Sequence, residues 1–336
     1  MVADPPAIES IPRSQQHETA SQGKHTVSKQ IVIDWQRNGI VAAVCNQRGH
    51  KVTLDKLSCQ PVGENTANPT LKQAIAAAAE ELGVSKTPVI VIVARELVEV
   101  RTISIPRMDE AELPDVIRFQ AQRQLANMGD NWPLDFVLLP DAPGQDMQTA
   151  LVGVIQPTDL TLVTGACEAA GLTVAHVGLR PLEVARFATQ SGQLASKGNS
   201  LLISIAGSNA DLMLLKDGRV VQVRSTKVPS EPSQLASSIQ GEIRRSLMAA
   251  SAHVGEAPIG SVMLLADRQV ASQLEGPLAQ AAGAPITTFD PGELIAPATS
   301  AELDDEIGPR LAALGGAASL GSAAKAATVD FLNPKK

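Results

Sequence analysis

Tyrosine is absent from this chain, and aromatic side chains of any kind are scarce: five Phe and two Trp in 336 residues. Proteins that grip single-stranded nucleic acid stack bases on such rings, and readers of duplexes carry a basic stripe. Here 28 Lys and Arg face 35 Asp and Glu, a formal charge of −7 that repels phosphate. No nucleic-acid partner is expected. Cysteine is nearly missing too. Cys45, Cys59 and Cys167 are an odd number with no C-x-x-C spacing. That pattern argues against a disulfide framework or a zinc site and points to buried thiols in a reducing compartment. Long apolar runs are lacking. Val89–Ala94 is among the longest, far short of the roughly 20 residues that cross a bilayer, and the first residues have no signal-peptide core. A soluble, cytoplasmic protein is expected. There is no G-x-S-x-G, Walker A or G-x-G-x-x-G sequence. The histidines, His17, His25, His50, His176 and His253, are scattered, which argues against a metal site.

What is present is an aliphatic chain long enough for two domains with real cores. Residues 1–28, rich in Pro, Ser, Gln and His, read as a disordered tail. From Gln30 the runs QIVID, IVAAVC and KVTLDKL are separated by turn signals at Asn38-Gly39 and Asn46–His50, which predicts an antiparallel meander. A helix is expected over about Asn68–Leu82, stopped by Gly83, and then a buried strand, TPVIVIVA. Beyond a Pro/Gly loop at Pro140–Gln148, ALVGVI and LTVAHVGL read as strands around a helix at Thr158–Ala170. Pro181 suits the first turn of a further helix. Ser191–Asn199 looks like an interdomain joint. Then the opening pattern returns: LLISIA, ADLMLL, the turn Asp217-Gly218, and VVQVRST. A second meander signals internal duplication. It precedes a helix with Leu235, Ile239, Ile243 and Leu247 every fourth residue, the strand SVMLLA, a helix to Gly283 and the strand PITTF. After them come an acidic loop, Glu302–Glu306, read as solvated, and a small-residue helix at about Gly308–Ser319. Two such halves predict a two-lobed α/β protein with a cleft between the lobes.

The stretch from Val98 to Leu139 stands apart. An alternating strand (Val98, Val100, Ile103, Ile105) stops at Pro106, a helix places Leu113, Val116, Ile117, Ala121 and Leu125 on one face, and a second strand starts near Leu134. None of its residues has catalytic spacing. It reads as a docking module, or as a helix that simply covers its own sheet.

From about Gln30 to Lys336 the chain resembles the PilM family, actin-like proteins of the type IV pilus inner-membrane assembly complex. The resemblance is carried by RELVEVRTISIPRMDEAELPDVIRFQAQRQL with LDFVLL after it, by ACEAAGLTVAHVGLRPLEVARFA, and by VDFLNPKK. The actin-like cytoplasmic component of type II secretion systems is a close relative that the sequence does not separate. The resemblance implies an α/β, actin-like fold of duplicated ribonuclease-H-like lobes. Lobe one would cover 29–190 with a small α/β subdomain inserted at about 98–156, lobe two 199–322, and a C-terminal tail 323–336.

It also implies a nucleotide cleft, whose loops need bare backbone at the phosphates and an Asp at a strand end for the metal. The first loop keeps Asp34 but has Gln36 where Gly is needed and Val41 where Lys belongs, with Asn38 and Gly39 beyond. The second has Ser204 and Ala206 in place of Asp and Gly, although Gly207 and Ser208 follow. The adenosine-side Gly-Gly is replaced by Ala266 and Asp267, and only Gly315-Gly316-Ala317 keeps its pattern. Asp34, Asn38, Gly39, Gly207, Ser208, Gly315 and Gly316 are thus the candidates for a degenerate cleft. No catalysis and no resident cofactor are expected, with weak, non-catalytic ATP/Mg binding left open. Asp34 also reads as a plain strand-end residue, and Trp35 as a filler of the emptied cleft or a half-buried strand aromatic.

The expected role is a scaffold, cytoplasmic and peripheral to the inner membrane through its partners. It would bind a short N-terminal cytoplasmic segment, apolar then basic, of a membrane-anchored pilus or secretion protein. The alternative is an active actin-like ATPase of the same complex; a homo-oligomer is also open. TVDFLNPKK has the same apolar-then-basic character. It is read as a tail that docks on its own or a neighbouring chain, as the lead-in to a membrane partner, or as a frayed terminus.

Overall fold

The computed structural model describes residues 28–48, 51–63, 69–125, 127–140, 146–229, 231–254, 257–295, 307–320 and 328–336. The tail 1–27, the acidic loop 302–306 and the core of the Pro/Gly loop lie outside the described residues.

Three apolar runs fold into the meander β1 (Ser28–Gln36), β2 (Gly39–Arg48) and β3 (Lys51–Pro61). Helix α1 (Leu71–Leu82) follows, its start fixed by a capping box between Thr70 and Gln73. The chain then adds β4 (Pro88–Val93) parallel to β1. Strand β8 (Thr173–Leu179) closes the sheet as its edge, in the order β3-β2-β1-β4-β8. The second half repeats the plan. Strands β9 (Asn199–Ala206), β10 (Asn209–Lys216), β11 (Arg219–Lys227), β12 (Ile259–Leu265) and β13 (Ile286–Thr288) form a sheet ordered β11-β10-β9-β12-β13. The outer face of that sheet is covered by α5 (Pro232–Val254) and α6 (Arg268–Ala282).

One turn sits a residue earlier than the sequence predicts. Gln36 pairs with Gly39, so the two-residue loop is Arg37-Asn38 and Gly39 belongs to β2. That turn needs no left-handed residue; Gly39 instead makes a close approach, since a Cβ there would lie 3.1 Å from the Gln60 carbonyl oxygen of β3 and would press on it. The matching turn in the second half, Asp217-Gly218, does take φ of +50° and +73°, as the sequence predicts.

Between β4 and β8 the chain builds a separate sheet, β5 (Val98–Pro106), β6 (Leu134–Leu138) and β7 (Met147–Ile155), ordered β5-β7-β6. Helix α2 (Leu113–Gln124) covers one face of it through Leu113, Ile117 and Ala121. The alternation along β5 shifts by one position at Thr102. Val98 and Val100 belong to the core of the first lobe, whereas Ile103 and Ile105 belong to the core under α2. The slip marks the root of the insertion. Helix α3 (Pro157–Ala169) returns the chain to the first lobe.

Two helices cross between the large sheets. Helix α4 (Arg180–Gln190) leaves the first lobe and packs on β9, β10 and β11 of the second. After the one-turn helix α7 (Pro291–Leu294), α8 (Gly308–Ala318) comes back and packs on β1 and β2 of the first. The two lobes therefore share one continuous apolar core, in which Val32 and Val44 join Leu202, Met213, Phe187 and Leu314.

Candidate functional site

Asp34 lies two residues before the end of β1, the central strand of the first lobe, and is fully buried. A buried carboxylate needs cations or donors, and the two crossing helices supply them. Arg180, the first residue of α4, donates from Nε to Asp34 Oδ1 at 2.7 Å and from Nη1 to Gln36 Oε1 at 3.1 Å. Arg310 of α8 donates from Nε to Asp34 Oδ2 at 2.5 Å, and from Nη2 to the Asp34 and Gly39 carbonyls at 2.7 and 3.4 Å. Each carboxylate oxygen is thus held by its own guanidinium. Burial holds the Arg310 guanidinium below its ordinary value, opposed in part by the Asp34 charge.

The other candidates lie around this pair. Asn38 Oδ1 accepts from Gln36 Nε2 at 2.7 Å. Gln36 also reaches the second lobe, since a Cβ on Gly207 would lie 3.5 Å from its Nε2. Ser208 accepts through its carbonyl from Val228 N–H at 2.8 Å. Glu96 brackets the two hairpins by accepting from Arg37 N–H at 2.9 Å and from Asn209 Nδ2 at 3.0 Å. Gly315 and Gly316 lie against α4. A Cβ on Gly316 would sit 1.9 Å from the Glu183 carbonyl oxygen, and one on Gly315 would sit 2.7 Å from the Phe187 ring. Asp267 caps α6, accepting from Gln269 N–H at 2.7 Å. The structure brings Asp34, Gln36, Asn38, Gly39 and Gly207 together, and leaves Gly315 and Gly316 to the helix crossing.

Sequence reasoning missed Arg180, Arg310 and Asp211. Asp211 lies on β10 directly opposite Ser204, and the equivalent pair in the first lobe is Val41 opposite Asp34. Each lobe therefore keeps one acid at this level, on different strands. Burial raises the Asp211 carboxyl above its usual range, opposed by a hydrogen bond from Ser225 Oγ and by the charges of Arg180 and Arg95. Counting outward from the Gly207-Ser208 turn would have found it, because residues 204 and 211 stand three places either side. The arginines leave no such signal; only the helix crossing brings them to Asp34.

Two cavities open nearby. One of about 540 Å³ is lined by Arg95, Thr102, Gln222 and Arg224. The other, about 400 Å³, is lined by Glu96, Leu125, Trp132 and Asp159. Asp34 lines neither. Among the described residues no group of three or more His, Cys, Asp or Glu could hold a metal ion, and no helix is long and apolar enough to cross a membrane.

Two lobes with the same strand order, crossed by paired helices and carrying a small α/β insertion in the first, define an actin-like protein. Among solved structures, the chain is similar to a PilM–PilN type IV pilus biogenesis complex, with a TM-score of 0.69 at 20% identity over 87% of this chain and 98% of that one. It is also similar to the cytoplasmic domain of EpsL, an inner-membrane component of the type II secretion system of Vibrio cholerae. There the TM-score is 0.52 at 12% identity over 92% of this chain and all of that one. No protein-family model matches the chain, and no curated protein does. The chain is PilM-like in its fold.

Proposed function

We propose that this chain is a non-hydrolysing, actin-like adaptor of a pilus or secretion assembly complex at the cytoplasmic face of the inner membrane. It would hold a short cytoplasmic segment of a membrane-anchored partner. The single observation that carries the reading is the filling of the Asp34 site. An actin-type site needs a carboxylate free to hold Mg²⁺ through water, with backbone open to phosphate. Here Arg180 and Arg310 take both carboxylate oxygens, and Gln36 spans from Arg180 to Asn38. Two guanidiniums repel a dication, and by taking both oxygens they compete with any metal-bound water for the carboxylate. The fold likeness to PilM in a PilM–PilN complex supports the partner class.

A thermal-shift titration with Mg–ATP tests the reading. A nucleotide at 100 times its Kd adds about 2.7 kcal/mol of stability. The expected result is an unchanged melting temperature at millimolar Mg–ATP and no phosphate release. A saturable upward shift would replace the adaptor with an ATP-driven machine.

A further inference from the structure

The sheet β5-β7-β6 has two faces, and α2 covers only one. The other face carries Asp135, Val137, Leu151 and Gly153 and looks toward β8, the edge strand of the first lobe. Residues 328–336 lie between the two. Phe331 N–H donates to the Val177 carbonyl at 2.9 Å, and Val177 N–H donates to Asp330 Oδ1 at 3.1 Å. His176 Nδ1 stands 3.2 Å from Asp330 Oδ2. The Phe331 ring, 1% exposed, drops into a notch over Gly153, where a Cβ would come within 3.0 Å of it.

Asp135 is the decisive residue. It sits on the body of the protein, only 1% exposed, and its carboxylate accepts from segment 328–336. Asp330 N–H reaches it at 2.7 Å, Lys335 N–H at 3.1 Å and the Lys335 ammonium at 3.1 Å. The same ammonium lies 5.4 Å from the centre of the Phe136 ring. A buried carboxylate, a one-ring notch and a strand edge that offers Val177 N–H and C=O to the segment are the parts of a peptide groove. The segment itself has no helix or strand; it is read side chain by side chain.

We propose that residues 328–336 are a tethered, displaceable occupant of this groove, so that the chain's own segment controls access to it. A peptide of the same chemistry, with a carboxylate, an aromatic ring directly after it and a lysine four residues beyond the ring, enters in trans by displacing them. The proposal rests on the adaptor reading above: it says where the partner segment docks and what that segment must remove.

A protease site placed within 321–327 allows the segment to be cut after folding. The probe is a fluorescein-labelled synthetic peptide, Thr328–Lys336, followed by anisotropy. After cutting and gel filtration the protein should bind the probe, and the uncut protein should bind it at least about tenfold more weakly. Asp135→Asn in the cut protein should weaken binding by a similar factor. Three results overturn the proposal: a cut protein that keeps its circular dichroism but ignores the probe, equal binding by cut and uncut protein, or unfolding on cutting, which would make the segment fixed core. A Mg–ATP shift would sink the ATP-free reading and leave this outcome unchanged, so the two failures are told apart.

Discussion

Three residues decide what the cleft can do: Asp34, Arg180 and Arg310. Asp34 was legible in the sequence as the one surviving acid of the first loop. Its partners were not, because they lie 146 and 276 positions away in the chain and nothing local marks an arginine that will meet a strand end. Gly315 and Gly316 carry the opposite lesson. Their small-residue pattern was legible, but the structure uses them for the close crossing of α4 and α8. A side chain at 316 would have to enter the Glu183 carbonyl. Gly316→Ala should therefore cost at least about 3 kcal/mol, the upper range of overpacking. Gly165→Ala on α3, where a Cβ would meet nothing within 4 Å, should gain about 0.5–1 kcal/mol. Urea midpoints at constant m measure both. Equal effects at the two sites would mean that the crossing is loose.

At the scale of elements, most of the fold was readable. Period-2 runs, paired turn signals and Gly83 locate strands and a helix end because each rests on local geometry. The face switch in β5 was missed: Val98, Val100, Ile103 and Ile105 read as one alternating strand, and the parity slip after Val100 takes its meaning only from the second core beneath α2. The end segment was the harder case: nothing in VDFLNPKK says what it packs against. Its contacts also predict a pH response. Burial pushes the Asp330 carboxyl up, but the His176 contact, Val177 N–H and Asn333 together pull harder, and the group ends well below the usual carboxylate range. A depressed folded-state value means that the stabilisation is fully present above the unfolded value of about 4. It is lost as pH falls from there toward the folded value. Urea stability of the parent protein should thus exceed that of Asp330→Asn at pH 6, and the gap should narrow steadily below about pH 4. A gap independent of pH would show that the Asp330 charge contributes nothing.

For the whole molecule the question is whether the lobes move as separate bodies. An actin-like machine that works by opening and closing needs a hinge with little apolar surface across it. In this chain α4 and α8 exchange lobes, and one apolar core runs from β1 and β2 through both helices into β9 and β10. The polar clasp at the cleft tip, Glu96 accepting from the Arg37 backbone N–H and from Asn209, is exposed, and a hydrogen bond of this kind contributes about 0.5–1.5 kcal/mol. Closure therefore rests on the core and not on the clasp. Separating the lobes would bare Leu202, Met213 and Leu314, each at most 1% exposed. The lobes should accordingly unfold together. Differential scanning calorimetry should give one transition whose calorimetric and van't Hoff enthalpies agree, and Glu96→Ala should leave its shape unchanged. Two resolved transitions, or a second one uncovered by Glu96→Ala, would mean that the lobes are independent and that the crossing helices do not lock them.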